Sequence, residues 1–168
     1  MKNKINTLIF LVLPAFVWLV SCQKLNENYA ADVKLEIQTS MMNVKKAYED
    51  FPKTLDSEKL LRYFTSDFSG VKDGESLTLK DVDRSFDYMA EQIKRNEIGG
   101  VSFKVSELNI HPISVNLGWM TYQEERKFAD MGKSQVRLNN MKGKCTALVR
   151  KEKEVWLIFH EHCSTEKL

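Results

Sequence analysis

The sequence is short of several things that would assign it a function directly. Its 168 residues hold three cysteines, three prolines and seven glycines. There is no internal repeat and no low-complexity tract, which excludes solenoids and tethered arrays. The one apolar run, Leu8 to Val20, is too short and too one-sidedly flanked to favour a membrane-spanning helix. A surplus of one charge is missing too. Removal of Lys2 and Lys4 with a leader would leave 23 of the 25 basic residues against 23 acidic ones. A near-neutral domain without a basic cluster carries no nucleic-acid footprint, so no nucleic-acid partner is expected. With 43% hydrophobic and 29% charged residues, the remainder suits one globular domain with a sizeable core.

What is present begins with an address. Lys2 and Lys4 form a basic start, Leu8 to Val20 an apolar stretch, and Leu19-Val-Ser-Cys22 closes it. Residues 1–21 read as a signal peptide, 22–28 as a short polar tether and 29–168 as the folded domain. Leu19-Val-Ser-Cys22 resembles the bacterial lipobox, which implies cleavage before Cys22 and its lipidation. The resemblance implies a lipoprotein held on the cell envelope and facing the periplasm. Gln23 is not the aspartate that retains such proteins at the inner membrane, so the outer membrane is favoured.

The chain then alternates between two periods. Val33, Ile37, Met41, Val44 and Tyr48 recur at three and four, one face of a helix over 29–50 that Pro52 stops. Asp56 or Ser57 can cap a short second helix holding Leu60, Leu61 and Phe64. Thr65 to Val71 reads as a strand, with Asp73-Gly74 as its turn. Thr78 and Asp81 fit a loose capping box for a third helix carrying Val82, Phe86, Met89 and Ile93, which Gly99-Gly100 ends. From Val101 the period is two. It slips near Ser106-Glu107, the mark of a β-bulge, and resumes through Ile113, Val115, Leu117, Trp119 and Thr121. Asp130-Met-Gly132 turns the chain into Gln135 to Val149, with Gly143 a bend.

Lys144 to Arg150 and Val155 to Ser164 form a final hairpin around Lys151-Glu-Lys-Glu154, without the Asn-Gly that would fix its turn. With Lys151 and Glu154 flanking the turn, Val149 pairs with Trp156, Ala147 with Ile158 and Cys145 with His160. On the other face Leu148 meets Leu157, Thr146 meets Phe159 and Lys144 meets Glu161. This register puts Cys145 and Cys163 on opposite faces and predicts two free thiols. The fold class expected is α+β: three helices in the N-terminal half packed on a strongly curved antiparallel sheet of about six strands.

Trp156, His160, His162 and Ser164 reproduce a Trp-x3-His-x-His-x-Ser ending. With the element order, it resembles the NTF2-like superfamily and its SnoaL-like and DUF4440-type branches. The ending and Leu108-Asn-Ile-His111 are also similar to the association domain of calcium/calmodulin-dependent kinases. The resemblance covers Tyr29 to Ser164 and implies a cone with an internal cavity. The aspartate base of ketosteroid-isomerase-like members has no clear counterpart here, since Val71, Lys72 and Asp73 stand nearest its position. The cavity arginines of the kinase domain fall near Glu124 and Ala147.

The candidate site residues are therefore few. Asp67 or Asp73 can serve as a general base if buried, with His160 or a tyrosine as acid partner, although a strand opening and a turn explain both aspartates. Tyr48, Tyr63, Trp119, Tyr122, His160 and His162 are candidates to line a ligand cavity, with Tyr88 beside them. Cys145, His160 and His162 could hold zinc, but cross-strand hydrogen bonding accounts for the histidines, so neither metal nor cofactor is expected. Gln123 to Lys127 reads as a solvated strand end. The expected function is binding of a small apolar or amphipathic molecule, or of a protein partner, by a membrane-anchored homodimer. The alternatives are a cofactor-free proton-transfer enzyme of SnoaL or ketosteroid-isomerase type, and a purely structural subunit of an envelope complex.

Overall fold

The computed structural model describes residues 27–131 and 137–167. The leader, Cys22 and residues 23–26 of the tether lie outside these residues, as does Gly132 of the expected turn, while the last two tether residues, Glu27 and Asn28, already belong to the first helix. The order is α1 (Glu27–Thr54), α2 (Glu58–Leu61), β1 (Phe64–Lys72), β2 (Glu75–Thr78), α3 (Leu79–Lys94), β3 (Ile98–Ser114), β4 (Leu117–Asp130), β5 (Arg137–Glu152) and β6 (Val155–Lys167). Six strands form one sheet in the order β2-β1-β6-β5-β4-β3, with the helices packed on one face. The sheet is mixed, because β1 runs parallel to β6 while every other pair is antiparallel. No helix among the described residues is long and apolar enough to cross a membrane.

α1 buries Val33, Ile37, Met41, Tyr48 and Phe51, with Val44 partly buried between them, so its apolar stripe faces the sheet at steps of three and four. It outlasts the expected stop, keeping Pro52 in its last turn and ending where Leu55 turns left-handed at φ 53°. α3 starts on the capping box, with Thr78 Oγ1 accepting from Asp81 N and the Asp81 carboxylate accepting from Thr78 N. It ends earlier than the glycine pair implied. Asn96 takes the left-handed position at φ 55°, and Gly99 and Gly100 belong to β3.

Two apolar clusters fill the space between the layers. One gathers Val33, Ile37, Met41, Phe68, Ile110, Met120 and Trp156. The other is aromatic, built on Tyr48, Phe51, Phe86 and Phe103. Burial of such large side chains is the main stabilising contribution, about 1.5–3 kcal/mol each.

The last hairpin departs from the expected register. Its two-residue turn lies one position later than expected, at Lys153 and Glu154 rather than Glu152 and Lys153, and both are left-handed at φ 47° and 68°, as type I′ geometry requires. Val149 therefore faces Ile158 rather than Trp156. Between the pairs Val149–Ile158 and Leu148–His160 the register shifts by one more residue, leaving Phe159 unpaired as a bulge. The shift reverses which side chains of β6 point inward. Cys145 stands directly opposite Cys163, Cα atoms 4.2 Å apart, and the two form a disulfide in place of the expected free thiols. Ala147 now opposes Glu161, and Lys144 opposes Ser164.

Candidate functional site

A cavity of about 360 Å³ opens between the two clusters, walled by Met41, Val44, Leu60, Phe64, Val105, Leu108 and Met120 among others. Its polar side comes from alternate residues of β4, Tyr122, Glu124 and Arg126, together with Lys72 at the end of β1 and Glu161 on β6. Strand alternation delivers all three β4 side chains to one face.

Glu124 is 5% exposed and accepts from three sides. Tyr48 Oη donates to Oε2 at 2.8 Å, Arg126 Nη2 to Oε2 at 3.0 Å and Lys72 Nζ to Oε1 at 3.3 Å. Burial alone would raise this carboxyl; the cations Arg126 and Lys72 and the hydrogen bonds outweigh it and hold it at about 2. Glu124 is thus a permanent counter-ion and cannot act as a base near neutrality. Gly143 lies opposite it, and a Cβ there would come within 2.8 Å of Glu124 Cγ. The glycine read as a bend is the space the carboxylate occupies. Arg126 is seated over the rings of Tyr48 and Phe103, at 5.5 and 5.7 Å from their centroids. Its Nε is buried without an acceptor.

Glu161 has the contrasting environment. It is half-buried in the cavity wall, and among the described residues its carboxylate accepts from Tyr122 Oη alone. Burial pushes its carboxyl upward, and the neighbouring Glu124 charge adds to that. Burial likewise pushes the hydroxyls of Tyr48 and Tyr122 well above the ordinary phenol range, so both are donors. One cavity thus holds two carboxyls whose proton affinities are driven apart, the arrangement that separates an ionised partner from a titrating one.

A family model for the SnoaL-like domain matches residues 42–166. The chain belongs to the SnoaL-like family. No protein of curated function matches it. Among solved structures, this SnoaL-like chain resembles a protein described as a scytalone dehydratase from Novosphingobium aromaticivorans. The identity is 15% and the TM-score 0.64, over 81% of this chain and 88% of that one. A hexachlorocyclohexane dehydrochlorinase, LinA type 2, matches at 8% identity and TM-score 0.62, over 82% and 93%. An NTF2-like protein of unknown function from Shewanella oneidensis matches at 13% and 0.52, over 76% and 98%. At these identities the likeness shows the fold, an NTF2-like cone, and no more.

Within this SnoaL-like cone the residues expected from sequence fall on both sides of the sheet. Tyr48 and Tyr122 stand in the cavity wall. Tyr63 is buried beside α2, its hydroxyl accepting from Arg62 Nη2 at 2.9 Å, away from the cavity. Trp119, His160 and His162 lie on the opposite face. Trp119 stacks on His111 at 4.0 Å, His160 Nδ1 meets Ser69 Oγ at 2.9 Å, and His162 is exposed. Cys145 therefore shares no face with the histidines, and the zinc trio is split. Its sulfur and that of Cys163 lie within 4.8 Å of a Glu124 oxygen, but they are bonded to each other.

Neither aspartate faces the cavity. Asp67 is 62% exposed and takes a bidentate pair from Arg150 at 2.7 and 3.1 Å, which holds it at about 2. Asp73 is the first left-handed residue of the β1–β2 turn and accepts from Thr165 N and Oγ1 at 2.6 and 2.5 Å, which lowers it. Tyr88 is 64% exposed. Besides Lys45 of α1 and Asp81 of α3, the charged groups that line the cavity come from β1, the end of β4 expected to be solvated and the shifted half of β6. Met120 and Tyr122 share their parity with Glu124 and Arg126, and that alternation is the signal that places the two charges inside.

Proposed function

We propose that this SnoaL-like domain binds a small, largely apolar molecule with one polar end, as a lipid-anchored protein of the bacterial envelope. The observation that carries the reading is the cavity itself, apolar over most of its wall with five polar groups gathered at one side. A purely structural subunit would have closed that space with side chains, since interiors pack to crystal-like density. The basic start, apolar run and Leu19-Val-Ser-Cys22 support the anchor. Native mass spectrometry of the mature protein, stripped of lipid, tests the binding reading. A reproducible extra mass within a small-molecule range is expected. A single ligand-free species from several preparations, unchanged by gentle extraction, would overturn it.

One observation favours a second reading, cofactor-free proton transfer. Glu161 is a cavity carboxyl with a raised proton affinity and a tyrosine donor beside it, which suits a general base far better than Asp67 or Asp73. An enzyme of this kind would move deuterium from solvent into a bound carbon acid, and Glu161→Gln would abolish the exchange. Exchange that survives that substitution removes Glu161 from the role.

A further inference from the structure

The charges around the cavity restrict what its polar end can accept. From β1 comes Lys72. From β4 come Glu124, Arg126 and the hydroxyl of Tyr122, and from α1 the hydroxyl of Tyr48. Lys45 of α1, paired with Glu49, and Asp81 of α3, in the capping box, complete the titratable wall, and Cys163 is tied up in the disulfide. Glu124 cancels one of the two inner cations. The other is cancelled only while Glu161 is ionised.

Donors also outnumber acceptors. Among the described residues Lys72 has a single acceptor, at 3.3 Å, and Arg126 Nε has none. Among the described residues, one carboxyl oxygen of Glu161 has no hydrogen-bond donor, because Tyr122 serves the other. A buried site pays heavily for net charge, so the neutral bound states are favoured. A cationic head would leave the site at plus one. An anionic head leaves it neutral if Glu161 is protonated, and it supplies the acceptors that Lys72 and Arg126 lack.

We propose that the cavity takes a small amphipathic anion with a carboxylate head, held by Lys72 and Arg126, and that Glu161 takes up one proton from solvent as the anion enters. This rests on the ligand-binding reading and specifies its chemistry. At roughly 30 Å³ per water-sized unit, the cavity holds a molecule of about ten non-hydrogen atoms. Octanoate is such a molecule, and octan-1-ol and octylamine are its uncharged and cationic counterparts.

Calorimetric titration of the full chain with the three probes, in detergent-free buffers of different ionisation enthalpy between pH 8 and 6, tests the assignment. Octanoate is expected to bind at least tenfold tighter than either counterpart, as charge-assisted hydrogen bonds imply. Its affinity should rise toward tenfold per pH unit as pH falls, with uptake of about one proton. Glu161→Gln imitates the protonated carboxyl, and it should bind octanoate with no pH slope and no uptake. Octanol binding as tightly as octanoate would overturn the anion assignment, and a wild-type slope kept by Glu161→Gln would overturn the proton uptake. If no probe binds while a retained molecule is still seen by native mass spectrometry, this inference falls and the binding reading stands. If neither is seen, both fall.

Discussion

At the scale of single residues, Glu124 and Glu161 are the informative pair. Glu124 pairs with both cations inside the cone, so Glu124→Gln removes the carboxylate that Lys72 and Arg126 share. A cost of about 3–5 kcal/mol is expected, read as a lower urea midpoint at unchanged slope. The two carboxyls also give opposite pH signatures. Glu124 is depressed to about 2 from 4.5, so its contribution is fully present above 4.5 and is lost as pH falls from there towards 2. Glu161 is raised, so the folded state binds its proton more tightly than the unfolded one. Its effect runs the other way, and stability declines as pH rises from 4.5 through the folded value. Glu161→Gln should therefore flatten the decline on the alkaline side while leaving the acid limb in place. Chemical denaturation between pH 3 and 8 reads both limbs. An acid limb that moves with Glu161→Gln would reverse the assignment.

At the scale of elements, legibility followed how local the determining chemistry was. The capping box, the Asp73-Gly74 turn and the slip at Ser106-Glu107 are fixed by neighbouring residues, and all three are present, with Glu107 left-handed at φ 53° and a register shift beside it. The apolar period of α1 and the element order were equally readable. The β5–β6 register was not, because Lys153 and Glu154 adopt the left-handed region without the asparagine or glycine that normally announces it. The Phe159 bulge has no local mark either. It is favoured by what it brings together across the sheet, the buried disulfide and the inward Glu161. The polar side of the cavity was lost with it, since charged residues at strand ends are usually solvated. Deleting Phe159 removes the extra residue of the bulge, so β6 pairs in a continuous period of two with Glu161 and Cys163 still facing inward. Maleimide labelling of the unfolded, unreduced variant should then find Cys145 and Cys163 still bonded and unlabelled, as in the parent protein. Free thiols in the deletion variant would mean that β6 has slipped by one residue and that the pairing beyond Phe159 is not held by these cross-sheet contacts.

For the whole molecule, the outer face of the sheet remains uncovered by helices. Trp119, Leu148, Leu157 and Phe159 are half-buried there and Ile113 is 49% exposed, amid His111, His160 and His162. An apolar surface of this kind is expected to meet a second copy, giving a two-fold dimer. Sedimentation at micromolar concentration should return twice the monomer mass, and a single monomeric species would dismiss the dimer. The sheet order has a further result, in the time course of synthesis. β6 is the last of these strands to be made, yet it sits between β1 and β5 and alone joins them. Until residues 155–167 have left the ribosome, the nascent chain has two separate sheet fragments with open edges and no place for the cone to close. Truncation after Glu154 should give a chain that protease digests throughout. Closure of the cone accordingly waits until β6, the last of these strands in the chain, has been made.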